Sequence, residues 1–161
     1  MANKRPKTVL YRRKRERKTN YSKRLKLLLA KKNRLVVRFT NQHIIAQFVQ
    51  FTITGDKVLV GVNSSALKKS GWKNSCKNIS AAYWTGLLFG KAALEKDHKE
   101  AVLDTGFRTP LKKGKTYAFL KGVLDAGFTV PHGEENVFPK EERIQGKNNQ
   151  EFTQIKEKLT K

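Results

Sequence analysis

The sequence predicts an α/β fold: an antiparallel meander plus a strand in a mixed sheet, packed by helices, with a basic N-terminal arm and a loop-rich C-terminal extension. Three observations support this prediction. Three strand-like runs follow one another through short connections, strand-like and helical segments alternate after them, and positive charge is concentrated before the first strand.

The 161 residues fit one compact domain with flanking segments, and 38% hydrophobic residues suffice for one core. We expect the arm at residues 1–21, the globular domain at 22–130 and the extension at 131–161. Lys and Arg number 35 against 13 Asp and Glu, a formal net charge of +22. This charge predicts a polyanionic partner, with nucleic acid as the first candidate and an anionic membrane surface as the second.

Residues 1–20 are predicted to be an extended basic arm, because their basic residues leave no apolar face at the spacing of a helix or of a strand. Residues 1–34 hold 15 basic side chains and one acid, Glu16, a net charge of +14. Tyr11 and Tyr21 flank the densest cluster. Guanidinium groups pair with phosphates and tyrosine rings stack on unpaired bases, so this pattern favours RNA binding.

A helix is predicted over 22–32, with Asn20 or Ser22 as its cap. Its leucines recur at helical spacing, so we expect one face to dock on the core while lysines and arginines face outward. The leucines of this stripe are Leu25, Leu28 and Leu29.

The three strand-like runs are expected to pair as the antiparallel meander, because the connections between them are short. They are residues 35–40, 43–51 and 57–62. The pair Gly55-Asp56 is a turn signal before the third run, and Ile45 is expected to face away from Ile44.

After a loop at 63–78, a helix is predicted over 79–96. One of its faces carries only small residues, which predicts close approach of another backbone. This stripe is Ala82, Gly86, Gly90 and Ala93. A short strand at 101–104, a basic loop at 105–115 and a helix at 116–126 follow, and Gly127 is expected to end that helix. Residues 131–148 are predicted to be loop-rich, with a short helix at 151–159.

Two further loops are candidate RNA contacts. In the first, Lys68, Lys69 and Lys73 offer cations, and Trp72 either stacks on a base or anchors the loop in the core. In the second, Arg108 follows the strand at 101–104, and a merely solvated loop is the alternative.

The sequence predicts no catalytic, metal or cofactor site. Asp104-Thr105-Gly106 matches the tripeptide of aspartic proteases, but that chemistry needs a second copy, which is missing. The three histidines are far apart, and Cys76 is the single cysteine. No apolar run is long enough to span a membrane. We expect neither a membrane partner nor a small-molecule substrate.

The chain resembles one ribosomal family over residues 5–147. The resemblance rests on YRRKRERKTNY at 11–21, NISAAY at 78–83 and KGVLDAG at 121–127. Shorter matches lie at 23–25, 34–38, 71–72, 85–88, 101–104, 130–132, 139–143 and Gly146. The family is the 5S-rRNA-binding protein of the large subunit, protein eighteen in archaeal naming and protein five in eukaryotes, and the length is similar to the archaeal form.

The resemblance implies a ribonuclease-H-like sandwich without ribonuclease activity, placed in the central protuberance of the cytoplasmic ribosome. It implies three partners: 5S rRNA, 23S rRNA and the neighbouring 5S-binding ribosomal protein, which is large-subunit protein five in bacterial and archaeal naming. Carried over by motif, the side chains on 5S rRNA would be Arg12, Arg13, Arg15, Arg17, Lys18, Thr19, Tyr21 and Arg24. We therefore expect a non-enzymatic structural constituent that attaches 5S rRNA to 23S rRNA. The alternative is a free basic nucleic-acid-binding or processing protein outside the ribosome.

Overall fold

The structure, a computed structural model, describes residues 9–146 and 152. A four-stranded sheet lies at its centre. The helices are α1 (Arg12–Arg15), α2 (Tyr21–Leu29), α3 (Ile79–Leu94), α4 (Lys115–Asp125) and α5 (Glu141–Gln145), and the strands are β1 (Arg34–Phe39), β2 (Ile44–Thr52), β3 (Gly55–Asn63) and β4 (Val102–Asp104). Short 3₁₀ helices occupy Ser64–Ser70 and Glu135–Val137.

The predicted mixed sheet is confirmed. Its strand order is β3-β2-β1-β4, with β1–β2 and β2–β3 antiparallel and β4 parallel to β1. The first three strands are thus the predicted meander, and their bounds differ from the predicted ones by one or two residues. A register shift between Phe48 and Val49 is the one irregularity in the β2–β3 pairing.

The two faces of the sheet have different chemistry. On one face Leu35 pairs with Phe48 and Val37 with Ala46, and these side chains are buried beneath α3 and α4. Arg34 alternates with them and lies on the opposite face, since successive residues of a strand point to opposite sides. The helices therefore cover an apolar face and leave a polar one to the arm.

The small-residue stripe of α3 is the place where α4 packs, as predicted. A methyl group at Gly86 would overlap the carbonyl of Phe119, and one at Gly90 would lie 2.5 Å from the Ala126 side chain. Gly122 of α4 is the reciprocal position, because a methyl group there would overlap the carbonyl of Tyr83. Glycines thus bring the two backbones into contact. Gly127 ends α4 in the left-handed conformation, also as predicted.

The prediction for the leucine stripe of α2 is wrong for two of its three leucines, and the third, Leu28, is part-buried. Leu25 and Leu29 are 61% and 72% exposed, and α2 has no fully buried residue. Lys23 and Arg24 are part-buried instead. The reason is the surface beneath the helix: the polar face of the sheet carries carboxylates, which attract cations rather than leucines.

Smaller differences occur at both ends of the chain. The arm is not extended throughout, because Arg12–Arg15 form a helical turn whose last amide bonds the Tyr11 carbonyl at 3.0 Å. The predicted loop-rich extension contains α5, which buries Ile144. Residues 1–8 of the arm and the predicted helix at 151–159, except for Phe152, lie outside the described residues. Within the described ranges, no helix has the length and apolar character needed to cross a membrane.

Candidate nucleic-acid interface

Helix α2 is held on the polar face of the sheet by cations. Asn20 caps the helix, its side-chain oxygen accepting a hydrogen bond from the Lys23 amide at 3.0 Å. The Arg24 guanidinium donates two hydrogen bonds to the carboxylate of Asp56, at 2.7 and 2.9 Å. The Lys23 ammonium donates to the Thr105 hydroxyl at 2.9 Å. These bonds fix the helix that follows the arm.

Two carboxylates form ion pairs with three arginines beneath α2. Arg34 is only 2% exposed, and its guanidinium lies 2.8 Å from an Asp56 oxygen and 3.2 Å from an Asp104 oxygen. Arg38 donates to the Asp104 carbonyl at 2.7 Å. The hydrogen bonds from Arg24 hold the pKa of Asp56 below its ordinary value and raise the pKa of Arg24. The Asp56 carboxylate therefore stays ionised, and the ion pairs of Asp56 and Asp104 keep the arginines in place.

A cavity of about 220 Å³ lies between the arm, α2 and this face of the sheet. Four predicted RNA contacts line it: Arg13, Lys18, Thr19 and Arg24. The Arg13 guanidinium donates to the Thr19 hydroxyl at 2.9 Å, which closes the turn of the arm. The other predicted arm contacts lie outside the cavity and are exposed: Arg12, Arg15, Arg17 and Tyr21.

Two tyrosine rings stand together at the edge of this basic surface. The ring centroids of Tyr11 and Tyr21 lie 6.0 Å apart, and the side chains are 78% and 39% exposed. Exposed aromatic rings beside cations are the arrangement that stacks an unpaired base and pairs its phosphate. The two residues were noted in the sequence as flanking the basic cluster, and the fold of the arm brings them together.

The structure separates the second group of predicted RNA contacts into exposed lysines and a buried tryptophan. Lys68, Lys69 and Lys73 are exposed, whereas Trp72 is 5% exposed in a cluster with Leu67 and Trp84. The expectation that Trp72 stacks on RNA is therefore corrected, because a buried indole offers no ring face to a base. Its N–H donates to the Ser75 carbonyl at 3.3 Å, which makes Trp72 the anchor of its loop.

Arg108 is exposed, and its guanidinium carbon lies 5.1 Å from the centre of the Phe39 ring. This contact orients the side chain without neutralising it. The structure thus places Arg108 beside Phe39, the last residue of β1.

Sequence reasoning missed the residues that hold α2 in place. They are Lys23, Arg34, Arg38, Asp56 and Asp104. One signal was available: Arg34 and Arg38 alternate with Leu35 and Val37 in a strand whose other face is fully apolar. Charged residues at alternating positions of a central strand indicate a polar network on its second face.

Comparison with known proteins shows the family of the chain. The family model described as "Ribosomal large subunit proteins 60S L5, and 50S L18" matches residues 5–100, which include most of the arm, α2 and the meander. The chain belongs to this family. The chain is 46% identical over 146 residues to large ribosomal subunit protein uL18 of Methanothermobacter thermautotrophicus, covering 91% of this chain and 76% of that protein. Identity to the uL18 protein of Methanosphaera stadtmanae is 47% over 140 residues, covering 87% and 72%.

Membership of the 60S L5 and 50S L18 family makes the chain a structural protein of the large ribosomal subunit, with its place on the cytoplasmic ribosome. The alternative of a free protein outside the ribosome is set aside on this evidence. The resemblance noted in the sequence is confirmed, and so is its similarity to the archaeal form.

Proposed function

We propose that this chain binds 5S rRNA through its basic arm and helps attach it to 23S rRNA in the central protuberance, without catalysing a reaction. Its protein neighbour there would be the other 5S-binding protein, which is large-subunit protein five in bacterial and archaeal naming. In this proposal residues 1–21 are the RNA-binding arm, 22–130 the globular domain and 131–161 an extension.

The observation that carries the proposal is the cationic cleft between the arm and the sheet. Arm residues of the family motif line it, and Arg15 and Arg17 stand exposed beside it with no ion pair to a described residue. Exposed guanidinium groups on a fixed turn are suited to phosphates, and the Tyr11–Tyr21 pair is suited to a base. Lys68, Lys69, Lys73 and Arg108 remain proposed contacts on the rest of the surface.

The test is equilibrium binding of labelled 5S rRNA and of an unrelated transcript of equal length at near-physiological ionic strength. We expect tighter binding of 5S rRNA. The arm variant Arg15→Gln/Arg17→Gln should flatten the plot of log K against log salt by about 0.9 for each lost phosphate contact. The matched control Lys57→Gln/Lys99→Gln removes the same charge from two exposed positions outside the cleft. Equal slopes for both variants, or no preference for 5S rRNA, would refute the proposal.

A further inference from the structure

A second basic surface lies on the helix layer, where three hollows join into one groove. A hollow of about 450 Å³ beside Lys68 and Lys73 shares Lys77 with a hollow of about 700 Å³. That hollow in turn shares Lys115 and Arg143 with one of about 260 Å³. The groove therefore runs from the turn between β1 and β2, past the start of α3, to the start of α4.

The groove differs in charge from the arm's cleft. Among the described residues that line it, six are basic and none is Asp or Glu. These cations are all exposed: Lys68, Lys73, Lys77, Arg108, Lys115 and Arg143. The arm's cleft contains Asp56 and Asp104, which neutralise part of its charge. Because no described acidic side chain neutralises these cations, the groove attracts anions along its length. A polyanion supplies such charges in a row.

The walls of the groove are fixed before any ligand arrives. Trp72 is buried beneath it, and the Trp72 amide donates to the Leu67 carbonyl at 3.1 Å. Asn78 caps α3 through a 2.6 Å hydrogen bond that its side-chain oxygen accepts from the Ala81 amide. Lys73 and Lys77 thus stand on a loop that is anchored at both ends. Pre-organised cations bind with less loss of conformational entropy than cations on a free tail.

The chemistry of the groove favours RNA over an acidic protein. Protein–protein interfaces have apolar centres, whereas nucleic-acid interfaces are polar and strongly positive. Among the described lining residues, the apolar side chains that are not buried are Ile79 and Leu111. Ile79 lines both the central hollow and the α4 end, whereas Leu111 lines the α4 end. The remaining lining of the central hollow includes hydroxyl and amide groups, which suit phosphate oxygens and 2′-hydroxyls.

The groove and the arm's cleft are separate. They share no lining residue, since the cleft lies on the polar face of the sheet and the groove lies among the helices on the other side. We propose that this groove binds the sugar-phosphate backbone of a second RNA segment while the arm holds the first. The inference rests on the proposed function and deepens it: the arm binds 5S rRNA, and Lys77, Lys115 and Arg143 contact 23S rRNA.

The test uses the full chain with the groove variant Lys77→Gln/Lys115→Gln. Immobilised 5S rRNA loaded with protein is titrated with 23S rRNA at several salt concentrations. We expect the groove variant to weaken capture of 23S rRNA about tenfold and to lower its salt slope by about 0.9 for each lysine. Its affinity for 5S rRNA alone should stay within about twofold of the wild type. The control Lys57→Gln/Lys99→Gln removes the same charge from outside the groove.

Each outcome decides a different question. Equal capture by the groove variant and the control would overturn the groove as an RNA site. Loss of 5S rRNA affinity in the groove variant would show one continuous site and overturn the second segment. A groove variant that loses binding to polyglutamate but not to 23S rRNA would point to an acidic protein instead. If the wild type shows no preference for 5S rRNA, the proposed function fails, and direct binding of 23S rRNA to the groove variant still tests the groove.

Discussion

Asp56 connects a buried arginine to helix α2. Its carboxylate accepts hydrogen bonds from Arg24 of α2 and lies 2.8 Å from the guanidinium of Arg34 in β1. Burying the Arg34 guanidinium without partners would cost several kcal/mol, so the carboxylates stabilise both the sheet and the docking of α2. A single acidic residue in a very basic chain therefore has two structural roles.

Asp56→Asn is expected to lower the free energy of unfolding at pH 7 by about 2 kcal/mol, less than for a fully buried pair because Arg34 keeps Asp104. The pKa of Asp56 is lowered in the folded protein, so its stabilisation is complete above the ordinary value of 3.8 and is lost as the pH falls below that value. Urea denaturation at pH 7 and pH 3 measures the difference in the free energy of unfolding between the wild type and Asp56→Asn. This difference should be smaller at pH 3. Glu134→Gln, at an exposed acid, is the control and should change neither value.

The same substitution makes a prediction for RNA affinity that opposes simple electrostatics. Asp56→Asn adds net positive charge, yet we expect 5S rRNA affinity to fall about fivefold because α2 loses its anchor. Glu16→Gln should instead raise affinity, since Glu16 is paired with Arg12 and Lys18 in the exposed arm. Titration of folded protein with 5S rRNA compares the two variants. A rise in affinity for both would show that Asp56 acts only through its charge.

Trp72 is expected to contribute to stability and not to RNA stacking. Trp72→Ala should lower the free energy of unfolding by about 3–5 kcal/mol, because it leaves a cavity beneath the loop. Trp72→Phe keeps most of the apolar volume and should leave the RNA affinity of the folded protein unchanged. Denaturation and RNA titration of both variants separate the two roles. Weakened RNA binding by Trp72→Phe at wild-type stability would restore the stacking hypothesis.

At the scale of elements, the packing of α3 on α4 depends on glycines, which have no side chain, at the contact. Gly86 and Gly122 face carbonyl oxygens of the other helix, so any side chain there would separate the helices. The 16 residues of α3 are held against the sheet on one side and α4 on the other, and ten of them are buried. The helix pair thus covers the apolar face of the sheet, and the first residues of both helices line the groove.

Gly86→Ala is expected to destabilise the protein by about 1–3 kcal/mol, since overpacking outweighs the roughly 1 kcal/mol gain in helix propensity. Gly61→Ala in β3 is the matched control, because a methyl group there meets no neighbouring atom. Urea denaturation monitored by circular dichroism measures the free energy of unfolding of both variants. A Gly86→Ala variant that is as stable as Gly61→Ala would contradict the close approach of the helices.

At the scale of the whole molecule, positive charge is distributed over two surfaces that the sheet separates. The arm's cleft lies on the polar face, and the groove, whose described lining includes no Asp or Glu, lies on the helix layer. With a formal net charge of +22, the folded chain repels itself when no RNA is present. Binding of polyanions should therefore stabilise the fold as well as localise the protein.

The RNA-free protein is expected to become more stable as salt screens this repulsion. Raising NaCl from low to near-physiological concentration should increase Tm by about 3 °C, the shift that about 1 kcal/mol gives for a chain of this size. Differential scanning calorimetry at constant pH measures it. A decrease in Tm would show that the ion pairs around Asp56 and Asp104 outweigh the repulsion of the whole chain.

Much of the fold and part of the site could be predicted from sequence. Strand and helix positions followed from local periodicity, and the small-residue stripe at Gly86 and Gly90 predicted a helix contact. The docking face of α2 could not be predicted, because the leucine spacing carries no information about the carboxylates beneath it. Trp72 was undecided for the same reason: an indole suits a core and an RNA base equally, and only its neighbours distinguish them.

The sequence by itself determined the elements, the concentration of cations in the arm and the resemblance to the ribosomal family, because these depend on residues close together in the chain. Only the tertiary structure decided which cations are free and which are held. Arg24 and Asp56 are 32 residues apart, and Arg34 and Asp104 are 70 apart. Such pairs form when distant strands come together, and the same folding joins Lys77, Lys115 and Arg143 into one groove.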